Sequence, residues 1–225
     1  MAIAIIPARG GSKRIPHKNI RPFHGRPMIG WSIAAAKASG LFSQIVVSTD
    51  DATIARIARD EGAETPFTRS AELADDHTGT SEVIADALQR LETEPLEEVC
   101  CIYATAPFVT PESLREGLDT LRGALEGFVF PVTEFPAPIA RGYFRSPRGI
   151  APISKKDMER RSQDLEPAFY DAGQFYWAHA GTWLSGDKVW DNARAVFLPP
   201  SRVCDIDTED DWERAEHLFS WLNRS

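Results

Sequence analysis

The sequence predicts an α/β fold: a mainly parallel, doubly wound sheet with helices on both faces. Two observations predict it. Short apolar runs alternate with amphipathic segments along most of the chain. The runs at residues 3–6, 44–48, 99–103 and 128–132 also lack polar alternation, as strands buried on both faces do.

Taken in order, the first strand, residues 3–6, opens into a glycine-containing loop. Pro27 starts a helical segment that runs through Ala38 and is closed by Gly40. After the strand at 44–48, a helix from Asp51 to Glu61 ends at Gly62. Thr80 to Leu91 sets Val83, Ile84, Ala87, Leu88 and Leu91 on one helical face. Thr110-Pro111-Glu112 is a cap with proline at the first helical position. The rhythm then breaks at about 134–165, where Glu134-Phe135-Pro136-Ala137-Pro138 leads into a segment with seven cations between Arg141 and Arg161 against Asp157 and Glu159. So long a departure inside a compact domain predicts an inserted arm that contacts a partner or substrate. The sheet resumes at 174–178. Thr208 caps a terminal helix whose apolar face is Trp212, Ala215, Leu218, Phe219 and Leu222, with Asp211 at the capping-box position. The expectation is one domain over 1–225 carrying an arm.

At 225 residues and 43% hydrophobic, the chain buries a full core. No apolar run approaches the roughly 20 residues that span a bilayer, and the N-terminal run is too short for a signal sequence. A cytoplasmic protein without membrane contact is expected. The cysteines agree: Cys100 and Cys101 are adjacent in a strand-like run and Cys204 stands alone, which is neither a disulfide framework nor metal-ligand spacing.

The loop Ile6-Pro7-Ala8-Arg9-Gly10-Gly11-Ser12-Lys13-Arg14-Ile15-Pro16-His17-Lys18-Asn19 is neither a GK[ST] phosphate loop nor GxGxxG. Gly10-Gly11 is either a plain turn or a place where main chain approaches an anion. Charge favours the anion. No Asp or Glu precedes Asp50, so residues 1–49 carry +7 in a chain whose net charge is −8. Cations gathered at one loop of an acidic protein, with no acidic residue near them in sequence, address a small anion, whereas a polynucleotide would be repelled by the rest of the chain.

In Val203-Cys204-Asp205-Ile206-Asp207-Thr208, an extended strand turns Asp205 and Asp207 to the same side. Two hard oxygen ligands so placed suit Mg²⁺ with phosphates completing its shell, and equally suit strand-end turn chemistry. Ser48-Thr49-Asp50-Asp51 caps a helix, Arg69 pairs with a carboxylate, Thr80 caps the helix it begins, and His77 is a solvated turn residue. The run Tyr170-Asp171-Ala172-Gly173-Gln174-Phe175-Tyr176-Trp177 combines aromatic faces with polar groups, which suits a sugar or a core strand with aromatic anchors.

Five ordered motifs resemble the acylneuraminate cytidylyltransferases across nearly the whole chain: the glycine loop, Val46-Val47-Ser48-Thr49-Asp50, Arg69-Ser70-Ala71-Glu72-Leu73-Ala74, Thr105-Ala106-Pro107 and Asp205-Ile206-Asp207-Thr208-Glu209. The resemblance implies a Rossmann-like nucleotidyltransferase fold and an enzyme that activates a nonulosonic acid as its CMP-sugar, with CTP and the sugar as substrates, Mg²⁺ as cofactor, and a homodimer formed through the arm. Within the implied nucleotide site, which takes in Ala8, Gly10 and Gly11, the resemblance assigns Arg9, Ser12, Lys13 and Lys18 to the CTP phosphates and Asn19, Arg69 and Thr80 to the cytidine. It makes Asp205 and Asp207 the metal ligands; with Arg9 and Lys18 they form the catalytic set.

Departures from the sialic acid enzymes bear on the sugar. Their Gln-Pro-Thr-Ser-Pro run is Tyr103-Ala104-Thr105-Ala106-Pro107 here, and their sugar-holding arginine is Tyr170. The stretch Arg161-Ser162-Gln163-Asp164-Leu165-Glu166 with Asp171 to Trp177 is similar to the branch acting on pseudaminic acid, a diacetamido-trideoxy nonulosonate. The sugar residues so implied are Tyr103, Gln163, Tyr170, Gln174, Phe175 and Tyr176. N-acetylneuraminate or legionaminate activation, and a non-catalytic nucleotide-binding module, are the alternatives.

Overall fold

The computed structural model describes residues 1–75, 78–124 and 126–224. Along it run β1 (Ala2–Pro7), β2 (Pro22–Phe23), β3 (Arg26–Pro27), α1 (Met28–Ser39), β4 (Phe42–Ser48), α2 (Ala52–Asp60), α3 (Thr80–Arg90), β5 (Glu98–Ile102), α4 (Pro111–Arg122) and β6 (Val129–Glu134). Then come β7 (Tyr143–Ser146), β8 (Gly149–Pro152), β9 (Phe169–Asp171), β10 (Phe175–His179), α5 (Ala180–Ser185), β11 (Arg194–Phe197) and α6 (Glu209–Leu222). Apart from the strand expected at 203–207, the expected strands and helices are present, their ends within two residues of expectation.

The central sheet has seven strands in the order β11-β6-β10-β5-β1-β4, with β9 also paired to β6. Strands β1, β4, β5, β6 and β11 run one way, while β9 and β10 run the other. The sheet is therefore mainly parallel, with β10 inserted antiparallel between β5 and β6. The reversal has a local cause. Strand β9 returns antiparallel along β6, and the chain turns at Gly173, whose φ of +62° favours a residue without Cβ, before entering β10.

Strand periodicity sorts the core into two layers. Ala4, Ile6, Cys100, Ile102, Phe175 and Trp177 face Ile29 and Ile33 of α1 and Leu114, Leu118 and Leu121 of α4. Ile3, Ile5, Val99, Cys101, Tyr176 and Ala178 face Ile84 and Leu88 of α3 and Trp183 of α5. Gly117 lets α4 lie close on the sheet: a Cβ there would stand 2.6 Å from Trp177 Cδ1. The three cysteines are buried and free. A third cluster packs α6, through Trp212 and Ala215, on Phe23, Met28 and Ile15.

Three sequence expectations change. Residues 203–207 form no strand; they are an extended segment after a 3-10 turn at Pro200–Arg202. Cys204 and Ile206 are buried in the third cluster, so side-chain packing rather than a ladder holds the segment extended, and Asp205 and Asp207 still share its outer side. Gly79, not Thr80, is the N-cap of α3, its N–H donating to Glu82 Oε2 at 2.9 Å. Phe175 faces α4, away from Tyr176, because neighbouring residues of a strand point to opposite faces.

Between β6 and β9 the chain leaves the sheet as the hairpin β7–β8 and 3-10 turns at Ile139–Arg141, Lys155–Asp157 and Ser162–Asp164. Tyr143, Phe144, Ile150 and Ile153 are exposed on it. No helix among the described residues is long and apolar enough to cross a membrane.

Candidate functional site: two clefts that share a wall

The loop after β1 is tied down by its neighbours. Ala8 N–H donates to Ser48 O at 2.9 Å, prolonging the β1–β4 pairing, and Gly10 N–H donates to Asp50 Oδ1 at 3.1 Å. A Cβ on Gly10 would stand 2.9 Å from Asp51 Oδ2, so glycine is required by the approach of the loop to the β4–α2 turn, while Gly11 borders open space. Asn19, only 7% exposed, donates from Nδ2 to Arg9 O at 2.9 Å and accepts the Ile29 N–H through its main-chain carbonyl at 2.8 Å, fastening both ends of the loop.

Beneath the loop lies a polar cleft of about 290 Å³ whose lining includes Arg9, Ser12, Lys18, Asn19, Arg69, Thr80 and Tyr103. Ala8, Gly10, Gly11 and Lys13 belong to the same loop but lie outside the lining. Among the described residues of its lining, three cations stand against the carboxylate of Asp75 and favour an anion. Arg69 is 4% exposed, yet its Nε and one terminal nitrogen have no hydrogen-bond partner; the nearby Asp50 carboxylate is 3.6 Å away. Burial lowers its pKa and Asp50 opposes that shift. A buried guanidinium with unsatisfied donors is costly by itself and suits a ligand that brings acceptors.

The N-terminal cations are paired more than the sequence suggests. Arg14 meets Asp207 at 2.8 Å, Arg21 meets Glu209 at 2.7 Å and Arg26 meets Glu61 at 3.0 Å. Glu209 thus does more than complement the α6 dipole, whereas Thr208 and Asp211 form the expected capping box. Lys18 joins the cleft to the acidic pair: its Nζ donates to Ile206 O at 2.6 Å and lies 3.4 Å from Asp207 Oδ1. The Asp205 carboxyl is held above the ordinary carboxylate range, first by loss of surrounding water and then by the Asp207 charge. Two carboxylates that repel each other fit a divalent cation. Among the described residues no cluster of three His, Cys, Asp or Glu exists, so a cation held here takes its remaining oxygens from a ligand or water.

A second cleft, of about 510 Å³, adjoins the first and is mostly aromatic, with Phe130, Tyr170, Tyr176, Trp183 and Trp190 in its walls. Thr80 and Tyr103 line both clefts. Their hydroxyls are 3.3 Å apart, the Tyr103 and Tyr176 rings pack with centroids 5.3 Å apart, and Tyr176 donates to Asp171 Oδ2 at 2.7 Å. Burial raises the pKa of both tyrosines, so each keeps its proton. The single Tyr176 proton goes to the Asp171 carboxylate, while either hydroxyl of the Thr80–Tyr103 pair can donate to the other.

Of the residues assigned to the sugar, Tyr103, Tyr170 and Tyr176 line this second cleft. Gln163 lies in the arm, outside the lining, and Phe175 is on the opposite face of the sheet. Gln174 is buried outside it too, its Nε2 donating to Arg202 O at 2.6 Å. Sequence reasoning missed Phe130, Trp183, Val189 and Trp190, which periodicity marks only as core or surface, and Asp171, whose position inside the aromatic run was the one available signal. Asp76 and His77 lie outside the described residues.

Comparison with known proteins gives this arrangement a family. Residues 3–136 match the family described as Cytidylyltransferase. The chain is 40% identical over 221 residues to the pseudaminic acid cytidylyltransferase of Campylobacter jejuni subsp. jejuni serotype O:2, covering 96% of this chain and 95% of that protein. It is 31% identical over 227 residues to the CMP-N,N'-diacetyllegionaminic acid synthase of Legionella pneumophila subsp. pneumophila, covering 96% and 95% of the two chains. In fold it is similar to CMP:2-keto-3-deoxy-manno-octonic acid synthetase complexed with CTP, with a TM-score of 0.74 and 16% identity over 98% of this chain and 99% of that one. With a glycine loop, a cationic cleft and a matched region that covers more than half its length, this chain belongs to the cytidylyltransferase family.

Proposed function

We propose that the chain transfers CMP from CTP to pseudaminic acid, giving CMP-pseudaminic acid and pyrophosphate. The observation that carries this reading is the junction of a cationic polar cleft with an aromatic one across the shared wall of Thr80 and Tyr103. The relative of 40% identity, a pseudaminic acid cytidylyltransferase that matches over nearly the full chain, supports this choice of sugar.

In this reading Arg9, Ser12, Lys13 and Lys18 receive the triphosphate, and Asn19, Arg69 and Thr80 line the cytidine position. The unsatisfied Arg69 donors suit the acceptor atoms of a pyrimidine. The Thr80 hydroxyl has lone pairs to offer the exocyclic amine of cytosine whichever way it shares a proton with Tyr103. The anomeric hydroxyl of the sugar gives up its proton to water as its oxygen forms the new bond to the α-phosphorus in line, the bond from that phosphorus to the bridging oxygen breaks, and pyrophosphate departs with its electron pair. Catalysis is mainly positioning and charge neutralisation by Arg9 and Lys18. Asp205 and Asp207 would hold Mg²⁺, which when bound neutralises phosphate charge.

The reading includes a homodimer: the exposed Tyr143, Phe144, Ile150 and Ile153 make the arm a surface for a second copy, and its cations a source of charge near the sugar. Pyrophosphate release from CTP with pseudaminic, legionaminic and N-acetylneuraminic acids tests the assignment. Turnover is expected to be fastest with pseudaminic acid, and binding of CTP without turnover of any of the three would make the chain a nucleotide-binding module.

A further inference from the structure

Asp171 is the one acidic or basic side chain among the described residues that line the aromatic cleft. Its carboxylate is fixed from two sides: Oδ1 accepts the Gly173 N–H at 2.8 Å and Oδ2 accepts the Tyr176 hydroxyl at 2.7 Å. A carboxylate offers about four acceptor positions, so about two remain for a ligand. Asp171 is exposed and lines only the aromatic cleft, whereas Thr80 and Tyr103 face both clefts.

We infer that Asp171 is a specificity-determining residue that orients the sugar, refusing the sugar's carboxylate and accepting an amide N–H from its other end. This inference rests on the proposed nonulosonate substrate. Such a sugar has its carboxylate on the anomeric carbon, the carbon that must face the nucleotide. Two end-for-end poses fit an aromatic slot, since ring faces do not distinguish them. A fixed negative charge at the slot's outer part does. It repels the pose that brings the sugar's carboxylate to it. The opposite pose sends the carboxylate towards Arg9 and Lys18 and offers the carboxylate of Asp171 an N–H donor.

Asp171→Asn tests this. The amide offers one oxygen to three donors, from Gly173, Tyr176 and the sugar, and it carries no charge. With the best sugar of the three-member panel, the expected result is a rise of about tenfold or more in KM for the sugar, kcat within about threefold and CTP affinity by calorimetry within about twofold. A purely structural role would instead move CTP affinity and the melting temperature along with KM. Tyr176→Phe, which frees one carboxylate oxygen and keeps the ring, should raise the sugar KM by a smaller factor, and it decides the matter alone if Asp171→Asn fails to fold. An unchanged sugar KM in the folded variants overturns the orienting role. A wild-type protein that turns over none of the sugars overturns the proposed substrate instead, and a preference for legionaminic or N-acetylneuraminic acid changes the sugar while leaving the Asp171 test in force with that substrate.

Discussion

The hydroxyls of Thr80 and Tyr103 lie 3.3 Å apart on the wall between the two clefts. Each belongs to a different element, Thr80 to the first turn of α3 and Tyr103 to the residue following β5, and the contact exists because Gly79 takes over the cap of α3 and leaves the Thr80 side chain free.

Tyr103→Phe keeps the ring and removes the hydroxyl from the wall between the clefts. Thr80 then loses its partner. A loss of about tenfold in kcat/KM for the sugar is expected, the equivalent of one hydrogen bond of ~1.4 kcal/mol, with CTP binding altered less. Steady-state kinetics with each substrate varied in turn checks it; unchanged kinetics would leave the Thr80–Tyr103 contact without a role in turnover.

Lys18→Ala is expected to cost both activity and stability. The side chain donates to Ile206 O and approaches Asp207, so its removal leaves a partly buried carbonyl unsatisfied, at a cost of ~1 kcal/mol. Weaker CTP binding should accompany the lower melting temperature. Calorimetry that finds CTP affinity unchanged, with turnover unchanged as well, would remove Lys18 from the nucleotide site.

Asp207→Asn preserves shape and removes the charge that Arg14 and Lys18 meet. Turnover should collapse, by about a hundredfold or more if the carboxylate is a cation ligand, and added Mg²⁺ should restore part of it. Far-ultraviolet circular dichroism should show the fold intact. Normal turnover at limiting Mg²⁺ would return Asp205 and Asp207 to structural roles.

Arg122 and Glu98 give a pH signature. The Arg122 guanidinium hydrogen-bonds Glu98 at 2.6 and 2.8 Å and holds its pKa below the ordinary value. A depressed carboxylate pKa contributes stability above the unfolded value of about 4.3, and that contribution fades as pH falls through the lower folded value. Arg122→Ala should therefore lower the melting temperature at pH 7, and the difference from the parent should shrink in acid. A constant difference between pH 7 and pH 3 would contradict it.

Much of this protein was legible from its residues in order. Apolar runs without alternation marked the buried strands, proline and glycine marked helix ends, and Thr208 with Asp211 marked the cap of α6, because each signal acts within a few residues. The glycine loop and the Asp205–Asp207 spacing were legible for the same reason. What the order could not determine depends on distant partners. Only the tertiary structure reversed β10 between β5 and β6, which sent Phe175 to α4 and Tyr176 to the cleft. Only it met the cations of the first 49 residues with Asp207, Glu209 and Glu61, carboxylates from far along the chain. And only it paired Thr80 with Tyr103 and Tyr176 with Asp171, because a hydrogen bond is set by distance in space and carries no trace in sequence separation.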